Sequence, residues 1–599
     1  MTIEDEPHRG VIVERDVWIP MRDGVRLQAD IWRPIADGRY PILLQRTPYD
    51  RADSFAVIVN AGIEPLRAVA DGFVVVIQDT RGRFGSEGLF DPFRTEATDG
   101  FDTVQWLAGQ HYSNGRVGMY GASYYAATQL LAATARPPAL RAIAPQVTAS
   151  DYHDEWVYRG GALQLGFTLY WALGLAAAEA QRRSALGEDI SALTAQLQSL
   201  IDDPWRAFRA RPLDSLDALS GLLPAWNEWL AHPTRDDFWK SISVAEHFDS
   251  LDIPALHIGG WFDIFLHGTL SNFAGLNGNG TGATQRLIIG PWAHAVPYDA
   301  LGEVEYGPTA PSAALDMTRL QLDWFSSYLK PDGPPVTSAP VRVFMMGSNQ
   351  WREEDEWPPA RARSARFFLG STSEAGGTLG EGDPTALSDS DVFTFDPSNP
   401  VPTVGGATFL PGAYVGLHSG QRDQRAVESR PDVLSYTTET LSEELEICGP
   451  VVATVWASTS ASDTDWTAKL VDVHPDGRAL NICDGILRAR YANAAGDDRL
   501  VPPHEVREYR IDLGATAIHI PAGHALRLEI SSSNFPRFDA NPGFGGDIAS
   551  ASVDDYVVAH QRVFHDPAHP SHLDLSVVTA KPSGTTAKPG AKHVTHSQN

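Results

Sequence analysis

Three side chains in this chain have the types and order needed for nucleophilic catalysis. Ser123 lies in Arg116-Val-Gly-Met-Tyr-Gly-Ala-Ser123-Tyr-Tyr-Ala126, Asp263 closes Pro254-Ala-Leu-His-Ile-Gly-Gly-Trp-Phe-Asp263, and His294 closes Arg286-Leu-Ile-Ile-Gly-Pro-Trp-Ala-His294. A serine hydroxyl is a poor nucleophile at neutral pH. It needs an imidazole to take its proton and a carboxylate to fix the imidazole tautomer and stabilise the imidazolium. Taken singly, each residue has a plainer reading. Gly-x-Ser is common, Asp263 is a turn former and His294 a loop residue. Their order, each after a short apolar run, makes the catalytic reading the stronger one.

The elements around them follow from composition. Arg116–Tyr120 reads as a strand, Gly121-Ala-Ser123 as a tight turn, and Tyr125–Ala133 as a helix. A serine on a sharp strand-to-helix turn is the nucleophile elbow of an α/β-hydrolase, where a strained turn exposes the hydroxyl beside a helix N-terminus. The elbow pattern ends in glycine, and here that position is Ala126. Residues 255–258 and 286–290 read as buried strands, so serine, aspartate and histidine each follow a strand's carboxyl end in the α/β-hydrolase order. For the oxyanion, the backbone N–H of Tyr124 is one donor. No His-Gly-Gly-Gly loop exists to supply a second. Tyr49, after the strand Tyr40–Gln45, is the side-chain candidate, beside the plainer reading of an aromatic packed at a proline turn.

Seven segments carry a resemblance that runs through nearly the whole chain: Arg46-Thr-Pro-Tyr49-Asp50, Asp79-Thr-Arg-Gly-Arg-Phe-Gly-Ser-Glu-Gly88, Gly121-Ala-Ser-Tyr-Tyr125, Gly260-Trp-Phe-Asp263, Gly290-Pro-Trp-Ala-His294, Val341–Trp351 and Ser532–Asp539. In these the chain resembles the cocaine esterase-like serine hydrolases of the X-Pro dipeptidyl-peptidase family. The resemblance implies that Tyr49 is the side-chain oxyanion donor. It also implies that Trp156 and Trp171, flanking Gly160-Gly-Ala-Leu, line an apolar acyl pocket with Phe265. On the residues alone, those tryptophans read as helix core. Relatives that cleave α-amino acid esters hold the ammonium with acidic residues just after the catalytic aspartate. Here those positions are Ile264, Phe265 and Leu266, although Asp154 and Glu155 adjoin the lid segment. Burying an ammonium against apolar side chains is costly, which speaks against amine recognition and X-Pro dipeptidyl-peptidase activity.

Texture divides the chain. Residues 1–150 alternate strands (Val25–Ile31, Tyr40–Gln45, Phe73–Gln78, Arg116–Tyr120) with helical stretches such as Thr95–Gln110. That is the pattern of a mostly parallel sheet. Residues 151–244 read as helices (Leu163–Arg183, Ile190–Asp203, Trp226–Ala231) and form an expected cap inserted into an α/β-hydrolase domain of 1–150 and 245–350. Residues 351–580 turn to short alternating strands, which imply a β-sandwich; the resemblance implies a jelly-roll. Residues 581–599 are expected to be a disordered tail.

A formal net charge of −28 argues against nucleic acid or an anionic membrane as partner. No apolar run reaches membrane-spanning length and the first residues carry no signal-peptide pattern, so the expected location is cytoplasmic. Cys448 and Cys483 cannot make a disulfide framework and read as buried small hydrophobes. His565, His569 and His572 lack a cysteine or His-Glu-x-x-His context for zinc, Gly82–Gly88 is not a Walker loop, and Asp79 with Arg81 reads as a structural ion pair. No metal and no cofactor are expected. The reaction expected is hydrolysis of a small-molecule carboxylic ester with an apolar or aromatic acyl group, through an acyl-enzyme. Amide cleavage by the same triad and a non-catalytic binding role are the alternatives. Relatives associate, so a homodimer is compatible with the resemblance.

Overall fold

In the computed structural model, the described residues are 10–52, 62–294, 300–373, 376–384, 390–411, 418–492 and 498–578. The expected tail at 581–599 lies outside them. The first sheet has ten strands: β1 (Val11–Pro20), β2 (Arg26–Pro34), β3 (Tyr40–Thr47), β4 (Val74–Asp79), β5 (Ser113–Ala122), β6 (Leu140–Gln146), β7 (Ala255–Phe262), β8 (Gln285–Ala293), β9 (Val341–Met345) and β10 (Gln350–Glu354). Their order is β1-β2-β4-β3-β5-β6-β7-β8-β9-β10. From β4 to β9 the pairings are parallel; β1, β2 and β10 join antiparallel at the edges.

The central strands read as near-continuous apolar runs because helices cover both faces. All of Val74–Asp79 and all of Ala255–Phe262 are buried. One face packs the helices Glu96–Ala108 and Tyr124–Thr134, and the other packs Met317–Leu329 through Leu322, Trp324 and Phe325. The sheet takes in Gln350–Glu354, just past the expected break at 350, because those residues pair with β9. The edge strand Val11–Pro20 was missed, since its half-exposed pattern carries no buried run.

Between β6 and β7 the chain leaves the sheet. It makes a π-helical turn at His153–Val157, a two-residue hairpin over Tyr158–Leu163, and the helices Leu165–Ala185, Ser191–Asp202, Pro204–Phe208, Asp217–Leu222 and Ala225–Ala231. After residue 361 an eleven-stranded sheet follows among the described residues, with the long strands Leu445–Thr459 and Arg507–Ile520 paired antiparallel. The strand Ala479–Arg488 runs straight into a 3₁₀ turn at Ala489–Tyr491. Cys448 and Cys483 are buried, unbridged members of this sheet. No helix among the described residues is long and apolar enough to cross a membrane.

Candidate active site

Each candidate triad residue is the one immediately after a parallel strand: Ser123 after β5, Asp263 after β7, His294 after β8. Ser123 takes φ 59° and ψ −125° before the helix Tyr124–Thr134. A non-glycine residue in that region is strained and persists only where its surroundings hold it. Here the Ser123 N–H is held by the Gln146 carbonyl at 2.9 Å. Gly121 has φ 126°, and a Cβ there would meet the Tyr125 Cβ at 2.6 Å. Ala126, in the place of the elbow's last glycine, is fully buried and fits.

Register brings the partners together. Ala293 pairs with Phe262 across β8 and β7, so His294 and Asp263 emerge side by side. His294 Nδ1 is 2.8 Å from Asp263 Oδ2, and its Nε2 is 3.1 Å from Ser123 Oγ. Asp263 is 1 % exposed, and its other oxygen accepts the Phe265 N–H at 2.7 Å. The carboxylate therefore has one oxygen pinned and one aimed at the imidazole.

Tyr49 follows the end of β3, the neighbour of β5. Trp171 Nε1 donates to its hydroxyl at 2.9 Å, and the phenol also faces the Ser123 hydroxyl. Burial pushes the Tyr49 phenol well above its ordinary value, so it stays a neutral O–H donor. Tyr124 begins the helix Tyr124–Thr134, where its N–H has no carbonyl one turn earlier to receive it. Its side chain is turned away: the hydroxyl donates to Glu96 at 3.0 Å, and Glu96 meets Arg46 at 2.6 Å, both fully buried. That chain of bonds ties the end of β3 to the start of the helix that follows Ser123.

A cavity of about 640 Å³ opens on Ser123 and His294. Its wall is mainly apolar, and Trp171, Tyr49, Phe167 and Phe409 belong to it. Trp156 and Phe265 do not line it as expected. They stack on each other at 4.2 Å behind the wall, because Phe167, one helical turn before Trp171, covers both with ring distances of 5.7 and 5.2 Å. Phe265 instead sets its ring against His294 at 5.2 Å. Phe409, from the segment preceding the second sheet's long strands, meets His294 at 5.2 Å from another side. Neither Phe167 nor Phe409 was picked out from the sequence. Phe167 had a signal, its i,i+4 spacing from Trp171; Phe409 had none.

Asp154 and Glu155 are committed elsewhere. Asp154 accepts the Gly160 N–H at 3.0 Å, and Glu155 accepts from Ser150 and Asp151. The expected Asp79–Arg81 pair does not form. Asp79 pairs with Arg51, while Arg81 meets Asp99 at 2.6 Å and Asp23 at 2.7 Å. Both arginines brace the loops after β3 and β4. His565 bonds Asp391 at 3.0 Å, His569 bonds Asp566 at 3.1 Å and His572 accompanies the Pro570 carbonyl, each in a separate contact. Among the described residues, a metal-ligand-like grouping is Asp472, His474 and His524, in the second sheet and with no member in this cavity.

The chain matches the X-Pro dipeptidyl-peptidase (S15 family) over residues 23–296 and the X-Pro dipeptidyl-peptidase C-terminal non-catalytic domain over residues 336–574. It is 38% identical over 578 residues to cocaine esterase from Rhodococcus sp. (strain MB1 Bresler), covering 94% of this chain and 98% of that one. Among solved structures it is similar to an aminopeptidase from a marine sediment Thaumarchaeota archaeon, with TM-score 0.82, 27% identity and 97% and 98% of the two chains covered. An α-amino acid ester hydrolase superposes with TM-score 0.79 at 26% identity over 96% and 98% of the chains.

Proposed function

Since this chain belongs to the X-Pro dipeptidyl-peptidase (S15) family and is a serine hydrolase, we propose that it cleaves small-molecule carboxylic esters through a Ser123 acyl-enzyme. The observation that carries this reading is the aligned Ser123–His294–Asp263 relay at 3.1 and 2.8 Å, opening on an apolar cavity.

Ser123 Oγ attacks the ester carbonyl carbon as its proton passes to His294 Nε2, and Asp263 stabilises the imidazolium through Nδ1. The carbonyl oxygen, now carrying negative charge, accepts from the Tyr49 hydroxyl and the Tyr124 N–H. Collapse breaks the ester C–O bond, and the departing alkoxide takes the proton from His294 Nε2. Water, deprotonated by His294, then attacks the acyl-serine; the acid leaves and Ser123 regains its proton. The cavity wall contains no Asp or Glu among the described residues. This supports uncharged or anionic acyl groups over the ammonium-bearing ones that the name α-amino acid ester hydrolase denotes for that relative.

Hydrolysis of a panel of p-nitrophenyl esters beside matched anilides, with Ser123→Ala as control, tests this. Ester turnover that disappears in Ser123→Ala is expected. Turnover that survives the substitution overturns the nucleophile, and anilides cleaved as fast as esters move the assignment to an amidase.

A further inference from the structure

Three arginines in the loops around the active site are matched with carboxylates, and a fourth is not. Arg46 meets Glu96 at 2.6 Å, Arg51 meets Asp30 at 3.2 Å as well as Asp16 and Asp79, and Arg81 meets Asp99 and Asp23. Arg83 is 2 % exposed and pairs with no carboxylate among the described residues. Its Nε donates to the Pro48 carbonyl at 2.9 Å and its Nη1 to the Leu175 carbonyl at 3.2 Å, with the rings of Phe90 and Phe84 at 4.8 and 5.3 Å. Its side-chain bonds use Nε and Nη1 alone, which leaves Nη2 without a bond to a described residue, and Arg83 forms part of the cavity wall.

Carbonyls and ring faces soften a desolvated guanidinium but do not neutralise it, and a buried charge without a counter-ion is strongly unfavourable. The acid on the facing helix, Glu179, is held by Arg182 through two bonds of 2.8 Å. Burial lowers the Arg83 guanidinium to about 10, which leaves it a cation at neutral pH. Apart from the imidazole of His294, it is the sole ionisable cationic side chain among the described cavity-lining residues, on a wall with no acid. A guanidinium with a free N–H edge is a matched receptor for a planar carboxylate.

We propose that Arg83 anchors a carboxylate at the far end of the acyl chain, so that the preferred substrates are hemiesters of dicarboxylic acids; this rests on the esterase reading above. The spacing fits. Trp171 bonds Tyr49 at the oxyanion corner, and Leu175, which bonds Arg83, is one turn further along the same helix. A helical turn is about 5.4 Å, and with C–C bonds of ~1.5 Å a chain of adipate length spans it. The apolar wall holds the methylenes and the cation their charged end.

The test compares p-nitrophenyl hydrogen adipate with its uncharged methyl ester in the parent, Arg83→Gln and Arg83→Lys. The parent should favour the acid. The acid-to-methyl-ester ratio of kcat/KM should fall roughly 10- to 100-fold in Arg83→Gln, mostly through KM, and less in Arg83→Lys. A second measurement needs no turnover: calorimetric binding of monomethyl adipate and of dimethyl adipate to Ser123→Ala. If esters are cleaved without charge discrimination and monomethyl adipate binds no tighter than dimethyl adipate, the subsite is overturned and the esterase reading stands. If neither ester is cleaved yet monomethyl adipate binds preferentially, the esterase reading falls and the anion site remains. Should Arg83→Gln fail to fold, the parent ratio and the Ser123→Ala binding pair decide the question.

Discussion

Trp171 and Tyr49 define what the proposed oxyanion corner can do. An indole N–H only donates, so in the 2.9 Å bond the Tyr49 oxygen is the acceptor and its own proton must point elsewhere. In the proposed reaction that leaves the phenol proton for the substrate oxygen, and makes Trp171 a positioning residue for Tyr49 as well as part of the wall. Losing one oxyanion donor costs ~10²–10³-fold. Tyr49→Phe should therefore lower kcat by that factor on a p-nitrophenyl ester, and an unchanged kcat would remove Tyr49 from the chemistry. Trp171→Phe keeps the ring but frees the Tyr49 proton to rotate, so kcat should fall by a smaller factor. In the double variant the two losses should not add, because the second residue acts through the first.

Two elements set the shape of the site and the acid stability of the fold around it. Phe167, on the helix Leu165–Ala185, fills the slot between Trp156, Trp171 and Phe265. Phe167→Ala should cost ~3–5 kcal/mol of stability and raise kcat/KM for benzoyl esters relative to butyryl esters. If Tm falls with no change in that preference, Phe167 is packing alone. The other element is β7, buried along its whole length, which ends at Asp263. It contains His257, whose imidazole burial holds down at about 4, against an ordinary 6.5, with Gln285 as its hydrogen-bond partner. The unfolded chain binds a proton near 6.5 that the folded strand refuses, so this stability is fully present above 6.5 and drains away as pH falls toward 4. His257→Asn has no proton to gain, so its Tm should drop less between pH 7 and pH 5 than the parent's. Burial also lowers His153 and His267, so the slope should shrink without vanishing. An identical slope in the variant would show that His257 does not control acid stability.

Across the whole molecule, the two sheets share one core. Trp261 and Phe262 of β7 and Val343 and Met345 of β9 pack in one apolar cluster with Ile447 and Ile518 of the second sheet. The backbone of Met346 bonds Ala517 and His519 at 2.9 Å each. Phe409, which touches His294, also comes from beyond the first sheet. A chain truncated after Glu354 would expose that cluster and lose a wall of the cavity. It should appear in the insoluble fraction or bind an apolar dye, and a soluble, cooperatively folding truncated chain would show that the cores are separable.

Apolar runs ending in small residues, with serine, aspartate and histidine just beyond, were enough to read the parallel sheet, the strand-to-helix turn at Ser123 and the order of the candidate triad. Those features are local, and parallel strands place whatever follows their carboxyl ends on one rim. Tyr49 stood out through its place after β3 and its motif. What the chain could not declare depends on packing between distant segments. Register between β7 and β8 decides that His294 meets Asp263. The turn of one helix decides that Phe167 hides Trp156 and Phe265, and the meeting of two sheets brings Phe409 to the imidazole. Partner choice is equally non-local: Asp79 and Arg81, two residues apart, lie in different ion pairs, while Arg83 has none among the described residues. A buried charge is costly only where its surroundings exclude water and counter-ions, and those surroundings exist only in the folded molecule.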